Sequence, residues 1–414
     1  MNNWRLSLFL GRRLSFSKSE SNSFSGPVVR LVTMAVAVCC VVMLIAIVTG
    51  TGLQQEIKNK IYSFRGHIQV KKYIDESDLR ESESIKLTDE MLLAISSHEA
   101  VKFIQSSAYR TAVVKSSEFF DGVVLKGIDR DFNSENLGFY LQEGRIFSMT
   151  EKDISDSLVI SSHLARVLAV SLGDRVAVYF IRESPKPPLL RYLYISGIYE
   201  TGVEDVDKQF AYADMRLIRE VNRWNENEVG SLEIFLKKGY DPQMVAFELE
   251  GLLPYDLQAQ PAEDAFRQLF QWMSLFDINI LIIIIVMVVI SAINLSSALM
   301  ILIVERTRMI GMLKALGAEN GLIFKIFLFK AFVILSRGLL MGNLVALGYA
   351  LIQKKFKLIK LDQTAYFVDS VPVYFQWNWI LYVNAGTLLI CLLMMLLPVR
   401  YISRIPATKV LKFE

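Results

Sequence analysis

VTMAVAVCCVVMLIAIV, residues 32–48, and ILIIIIVMVVI, residues 280–290, decide how the rest of the chain is read. A bilayer core about 30 Å thick is crossed by about 20 apolar residues of helix, and both runs lie in stretches longer than that. No charge interrupts Leu31 to Leu53 or Ile278 to Val304. Two further stretches behave similarly: Ala331 to Gln353, whose only charge is Arg337, and Ser370 to Val399, densest from Trp379 to Pro398. These predict transmembrane helices at 28–52, 276–304, 321–352 and 378–399. The basic segment before the first span resembles a secretory signal, but its apolar run is too long and no small-residue cleavage site follows, so it reads as an uncleaved anchor.

Composition agrees. Of 414 residues 53% are hydrophobic and 21% charged, and the mean hydropathy is +0.36, which excludes an ordinary cytosolic enzyme and a disordered scaffold. A net charge of +3, from 45 basic and 42 acidic side chains, is too balanced for a nucleic-acid binder. Cys39, Cys40 and Cys391 all sit in apolar blocks, as small buried hydrophobes rather than a disulfide frame or metal site.

Lys and Arg in the short flanks set the orientation. Arg5, Arg12, Arg13, Lys18 and Arg30 precede the first span; Arg306, Arg308, Lys314 and Lys325 follow the second; Arg400, Arg404, Lys409 and Lys412 close the chain. A four-span topology puts all three groups, and both termini, in the cytoplasm. Lys354, Lys355, Lys357 and Lys360 run against it, because their loop, 353–377, must then lie outside.

The remaining segments follow. Residues 1–27 hold an interfacial amphipathic stretch, 3–13, and a serine at every second position from Ser15 to Ser25. Residues 53–275 are extracytoplasmic, with helical stalks at both ends. One stalk carries Leu53, Ile57, Ile61 and Phe64 at helical spacing. The other is opened by Pro261, with Glu263 and Asp264 in its first turn. Between them short apolar runs predict strands at 67–73, 119–126, 158–160, 175–181, 192–199 and 231–236, and helices at 87–95, 162–168 and 242–252. Residues 305–320 form a cytoplasmic helix and 400–414 a cytoplasmic tail. No internal repeat is present.

Catalytic motifs are absent from the sequence: there is no GxxxxGK[ST] nucleotide loop, GxSxG elbow, HExxH or CxxC, and His67, His98 and His163 have no ligand spacing. The most informative segment is ERTRMIGMLKALGA, 305–318. Met309, Ile310, Leu313 and Leu316 form its apolar stripe, Glu305, Arg306, Arg308 and Lys314 lie largely elsewhere, and Gly317 stands where a helix would end. Such a helix either lies on lipid headgroups or enters a soluble partner's groove. In the third span Gly338 and Gly342 make a small-xxx-small pair beside Arg337, followed by Asn343, which predicts close packing on another helix. Arg337 itself either faces a protein cavity or snorkels to the interface. Asn294 in the second span reads as interhelical glue. In the loop 182–190, Pro185, Lys186, Pro187 and Pro188 stiffen a hairpin tip that is either a solvated loop or a docking knob.

The 305–318 motif after the second span resembles the signature of FtsX-like ABC-transporter permeases. Within that group the chain is most similar to lipoprotein-releasing (LolC/LolE-type) permeases, through Thr51-Gly52-Leu53-Gln54-Gln55-Glu56-Ile57 leading to Gly66-His67-Ile68-Gln69-Val70, and through Pro406-Ala407-Thr408-Lys409-Val410-Leu411-Lys412. The resemblance runs nearly end to end. It implies an α-helical membrane protein with four transmembrane helices plus a large α+β, MacB-like extracytoplasmic domain between helices 1 and 2, placed in a bacterial inner membrane. It also implies no cofactor in this chain, ATP and Mg being bound by a partner ABC ATPase subunit. Further implied partners are a second permease chain, identical or paralogous, membrane lipid, a lipoprotein substrate and a periplasmic carrier docking at 182–190, although the loop here is short. Helix 305–320 would couple to the ATPase. Two neighbouring types stand as alternatives: MacB-type efflux permeases, which normally carry a fused ATPase absent here, and permeases controlling wall hydrolases, which usually have a much smaller ectodomain.

Overall fold

The apolar run at 32–48 lies within one helix of 41 residues, Ser25–Arg65 (α1), which passes without a break into the polar stretch beyond Leu53. A computed structural model describes residues 25–73, 83–147, 154–181, 187–361 and 368–396. The amphipathic stretch 3–13, most of the serine link, Pro185, Lys186 and the tail 400–414 lie outside the described residues. The chain divides into a helical unit, residues up to Gln54 with Trp272–Lys360 and those from Ser370 onward, and an α+β unit, Gln55–Gln271 with Leu361–Asp369.

Among the described residues four more helices belong to the helical unit: Arg267–Glu305 (α2), Thr307–Ala315 (α3), Asn320–Phe356 (α4) and Trp377–Met394 (α5). Among the described residues α1, α2 and α5 are long and apolar enough to cross a membrane by length and composition. Helix α4, 37 residues long, shares their core: Ile323, Phe327, Ala331, Ile334 and Leu335 are buried with Val36, Met43 and Ile47 of α1 and Leu295, Leu299 and Ile303 of α2. It runs four residues past the expected end at 352.

In the α+β unit the strands are Ile68–Lys72 (β1), Ile85–Lys86 (β2), Val101–Lys115 (β3), Phe120–Ile128 (β4), Leu141–Gly144 (β5), Ser157–Ser161 (β6), Arg175–Phe180 (β7), Leu189–Tyr199 (β8), Phe210–Asp214 (β9), Glu228–Val229 (β10), Ser231–Leu236 (β11) and Leu257–Pro261 (β12). Ten of them form one sheet in the order β12-β1-β11-β3-β4-β9-β6-β8-β5, with β7 bonded to both β3 and β8; β2 and β10 pair separately. Because β7 bridges β8 back to β3, six strands close on themselves around Val114, Leu125, Val178 and Leu193. Helices are capped locally: Thr88, Ser161 and Asp241 each accept from a backbone N–H of the first turn, and Pro242 occupies the first helical position after Asp241.

The stalk expected to open at Pro261 begins differently. Pro261 is the last residue of β12, opposite Ile68, on the terminal strand of the sheet, where a missing N–H costs no ladder bond. One turn follows at Ala262–Ala265, Phe266 leaves helical geometry (φ −112°, ψ 40°), and the helix resumes at Arg267.

Candidate functional site

Three places bring the polar and glycine residues together: the α2–α3 turn, a polar contact among the long helices, and the end of α1 beneath the sheet.

The helix expected over 305–320 is shorter than that. Glu305 ends α2, Arg306 breaks the helix (φ −93°, ψ 14°), and α3 covers only Thr307–Ala315. The break is tight, because the Thr307 hydroxyl donates back to the Val304 carbonyl at 2.6 Å. At the other end the Gly317 N–H bonds the Lys314 carbonyl and the Ala318 N–H the Leu313 carbonyl, at 3.0 and 2.9 Å. This is the paired closure of a Schellman motif, and it needs Gly317 at φ +87°. The apolar stripe splits in two. Ile310 is buried in the core of the helical unit, Met309 and Leu313 are half-buried, and Leu316, past the last helical residue, is 85% exposed. Met312, which the stripe omitted, is 55% exposed one turn before Leu316. Ile310 thus ties α3 to the bundle while Met312 and Leu316 face outward, with Arg308 also exposed. Arg306 and Lys314 are half-buried, and Glu305 is exposed beside an apolar hollow of about 310 Å³ lined by Met300, Ile301 and Val304.

Among the long helices, Gly338 and Gly342 do pack on a neighbour, and that neighbour is α1. A Cβ at Gly338 would stand 2.8 Å from Val36 Cγ1, and one at Gly342 2.6 Å from Cys40 Cβ. Asn343, one residue on, exchanges two amide hydrogen bonds with Asn384 of α5, at 2.8 and 3.0 Å, and donates to the Leu339 carbonyl at 2.6 Å. The reciprocal pair lets two half-buried amides satisfy each other between helices. Arg337 is exposed. Asn294 is half-buried. Nearby, the buried hydroxyls of Ser291 and Thr387 lack partners.

Where α1 ends, the sheet presents charges that sequence reasoning passed over. Lys126 on β4 and Glu233 on β11 are an ion pair at 2.8 Å, and neither side chain is exposed. Glu233 also accepts from Gln105 Nε2 at 2.7 Å and Tyr109 Oη at 2.9 Å, both on β3. Lys126 Nζ donates in turn to the Phe64 carbonyl in the last turn of α1. Positive charge at that position meets the negative end of the helix dipole. Burial pulls the Lys126 ammonium below its ordinary range, with Glu233 working against the shift, and burial likewise holds the Tyr109 phenol protonated. Beside it, Arg65 Nε donates to Gln69 on β1 at 2.7 Å and Arg65 Nη2 reaches Gln260 on β12. The helix end is therefore fastened to five consecutive strands. The available sequence signal was a lysine inside the apolar run 123–128 and a glutamate inside 231–236. Tyr62, a turn earlier on α1, stacks on His67 and donates to Glu263 at 2.9 Å; burial raises the Glu263 carboxyl, whose other oxygen is buried without a partner. Of the loop 182–190, Pro187 and Pro188 are described and lie just before β8. Among the described residues no group of His, Cys, Asp or Glu could hold a metal.

Residues 30–252 match the MacB-like periplasmic core domain family, and residues 281–407 match the FtsX-like permease C-terminal family. The chain is 21% identical over 99% of both chains to the lipoprotein-releasing system transmembrane protein LolC of Xylella fastidiosa. It is 19% identical to LolE of Haemophilus influenzae over 95% of this chain and 96% of that one. The solved periplasmic region of MacB from Actinobacillus actinomycetemcomitans aligns with 49% of this chain and 92% of its own at 15% identity and a TM-score of 0.34, too loosely to bear on detail. With its α+β unit inserted between the first and second long helices and the 305–318 motif behind them, the chain belongs to the permease family that joins a MacB-like periplasmic core domain to an FtsX-like C-terminal region.

Proposed function

We propose that this chain is the permease subunit of an ABC transporter that extracts lipoproteins from the inner membrane toward the outer membrane, driven by ATP hydrolysis in a separate subunit. The observation that carries this reading is the alignment, over 99% and 95% of this chain, to relatives named as lipoprotein-releasing transmembrane proteins. In it four helices span the membrane, with the termini and α3 in the cytoplasm and the α+β unit in the periplasm. The burial of α4 in the shared helical core supports the fourth span.

The ATPase partner grips α3. Ile310 makes α3 part of the bundle, while Met312 and Leu316 offer an apolar edge to a groove, so closure of two ATP- and Mg-loaded subunits moves α3 and the helices behind it. Helix α1 carries that motion without a break to its junction with the sheet. A second permease chain completes the membrane unit, and its space receives the acylated substrate from the outer leaflet. Substrate then passes to a periplasmic carrier at the 182–190 loop. MacB-type efflux, or control of wall hydrolases, uses the same transmission and fits the two family matches equally well.

Depletion of the protein followed by separation of inner and outer membranes tests the substrate. Acylated lipoproteins should accumulate in the inner membrane while unacylated outer-membrane proteins sort normally. Unchanged lipoprotein sorting would remove the substrate assignment and bring efflux or hydrolase control forward.

A further inference from the structure

The run Lys354-Lys355-Phe356-Lys357-Leu358-Ile359-Lys360 holds four positive charges and no acid, on the side of the membrane where lysine is disfavoured under the four-span topology. It is a folded feature. Gln353, 1% exposed, donates to the Ile359 and Val371 carbonyls at 3.2 and 3.1 Å and accepts from the Ile359 N–H at 3.1 Å. Lys357 terminates α4 in the left-handed conformation, its N–H on the Gln353 carbonyl, and Lys360 bridges to Ser370.

This fold turns all four lysines outward, and no described carboxylate forms an ion pair with them. Between them Phe356 and Leu358 are 62% and 68% exposed. The next chain segment continues the pattern: Tyr374, Trp377, Trp379 and Tyr382 are all exposed. The Tyr374 N–H bonds the Val48 carbonyl at 3.2 Å, which sets the start of α5 beside the outer end of the apolar part of α1. Exposed Trp and Tyr clustered at the start of an apolar helix mark a headgroup boundary, where lysine stems lie along lipid and their ammonium groups meet phosphate.

We propose that Lys354, Lys355, Lys357 and Lys360 form a rim that binds anionic phospholipid headgroups in the periplasmic leaflet, with Phe356 and Leu358 seated among the acyl chains beneath. The inference rests on the four-span topology of the proposed function.

The test uses the full chain in nanodiscs, with Trp4, Trp224 and Trp272 changed to Phe so that Trp377 and Trp379 report. Quenching by brominated phosphatidylglycerol is compared with quenching by brominated phosphatidylcholine. The expected preference for phosphatidylglycerol is about fivefold at low salt and shrinks toward unity at about 0.5 M salt as screening shortens. The variant Lys354→Gln/Lys355→Gln/Lys357→Gln/Lys360→Gln should lose the preference, and the matching set of Arg substitutions should keep it. A wild-type ratio near unity, or a preference surviving in the Gln variant, overturns the proposal. Topology is read separately through Lys357→Cys and a membrane-impermeant maleimide. Labelling only from the cytoplasmic side overturns the four-span topology and the rim with it, whereas outside labelling with an unchanged Gln variant removes the rim alone.

Discussion

Replacing Lys126 by Met deletes one half of an ion pair that has no exposed surface, and the structure sets the size of the effect. The Glu233 carboxylate stays buried and keeps Gln105 and Tyr109 as neutral donors, while the last turn of α1 loses the ammonium on its Phe64 carbonyl. Breaking a buried pair costs about 3–5 kcal/mol, and two surviving donors offset part of that, so about 3 kcal/mol is expected. Glu233→Gln leaves the ammonium facing the Phe64 carbonyl and the rings of Phe64, Tyr109 and Tyr212, at 4.8, 5.8 and 5.9 Å. Burial already favours the neutral amine there, so this variant should cost less, about 2 kcal/mol. The double variant Lys126→Met/Glu233→Gln buries no net charge and should cost about 2 kcal/mol, which makes the coupling between the two sites about 3 kcal/mol. Hydrogen exchange of the β3, β4 and β11 amides in the full-length chain reads these energies directly. At about 2–4 °C per kcal/mol for a unit of this size, Lys126→Met should also lower its melting temperature by about 6–12 °C. A double variant as unstable as the two single changes added together, or single variants within 1 kcal/mol of the parent, would refute the reasoning.

Met312→Asp/Leu316→Asp should abolish stimulation of the partner ATPase while leaving membrane insertion and expression intact, since both side chains face outward; unchanged stimulation means α3 does not couple through this edge. Gly342→Leu drives a side chain into Cys40 and the Ala37 carbonyl, so α1 and α4 must separate at a cost of about 1–3 kcal/mol or more, seen as a lower detergent-melting temperature; a neutral result would place the helices further apart than the structure has them. Burial, with Lys102 adding to it, holds the His67 imidazole down to about 4. The native state therefore keeps the ring neutral while the unfolded chain protonates near 6.5, so this contribution is fully present above about pH 6.5 and is lost as the pH falls toward 4, by no more than about 3 kcal/mol. His67→Asn should flatten the decline in melting temperature between pH 7 and 5; an identical slope would assign the decline to other groups.

Reading the sequence served best where one residue's hydrophobicity reports its own surroundings. The runs at 32–48 and 280–290 admit one physical solution, because in lipid each backbone polar group must be satisfied inside its own helix. Gly317 was legible for a similar reason, since a left-handed closure is a local requirement that glycine meets without strain. By contrast the 15-residue strand β3 escaped notice. Its centre, Gln105-Ser106-Ser107, reads as a polar break, yet those side chains are buried. Gln105 and Ser107 are satisfied by Glu233 and Ser231 across 128 and 124 residues of chain. Pro261 carried the signature of a helix start, and only pairing with β1 made it the end of an edge strand.

The sequence by itself determined that the chain is a membrane protein with a large polar insertion after its first long helix, and that its 305–318 segment carries the family's signature. Tertiary structure alone decided which face of that segment is free, and that Asn384 is the partner of Asn343. It also decided that Lys126 and Glu233 close on the end of α1. The difference is physical. Apolar length is a sum over neighbours in the chain, whereas the stability of a buried charge depends on a partner that arrives from a distant strand and cannot be assigned until the fold brings it there.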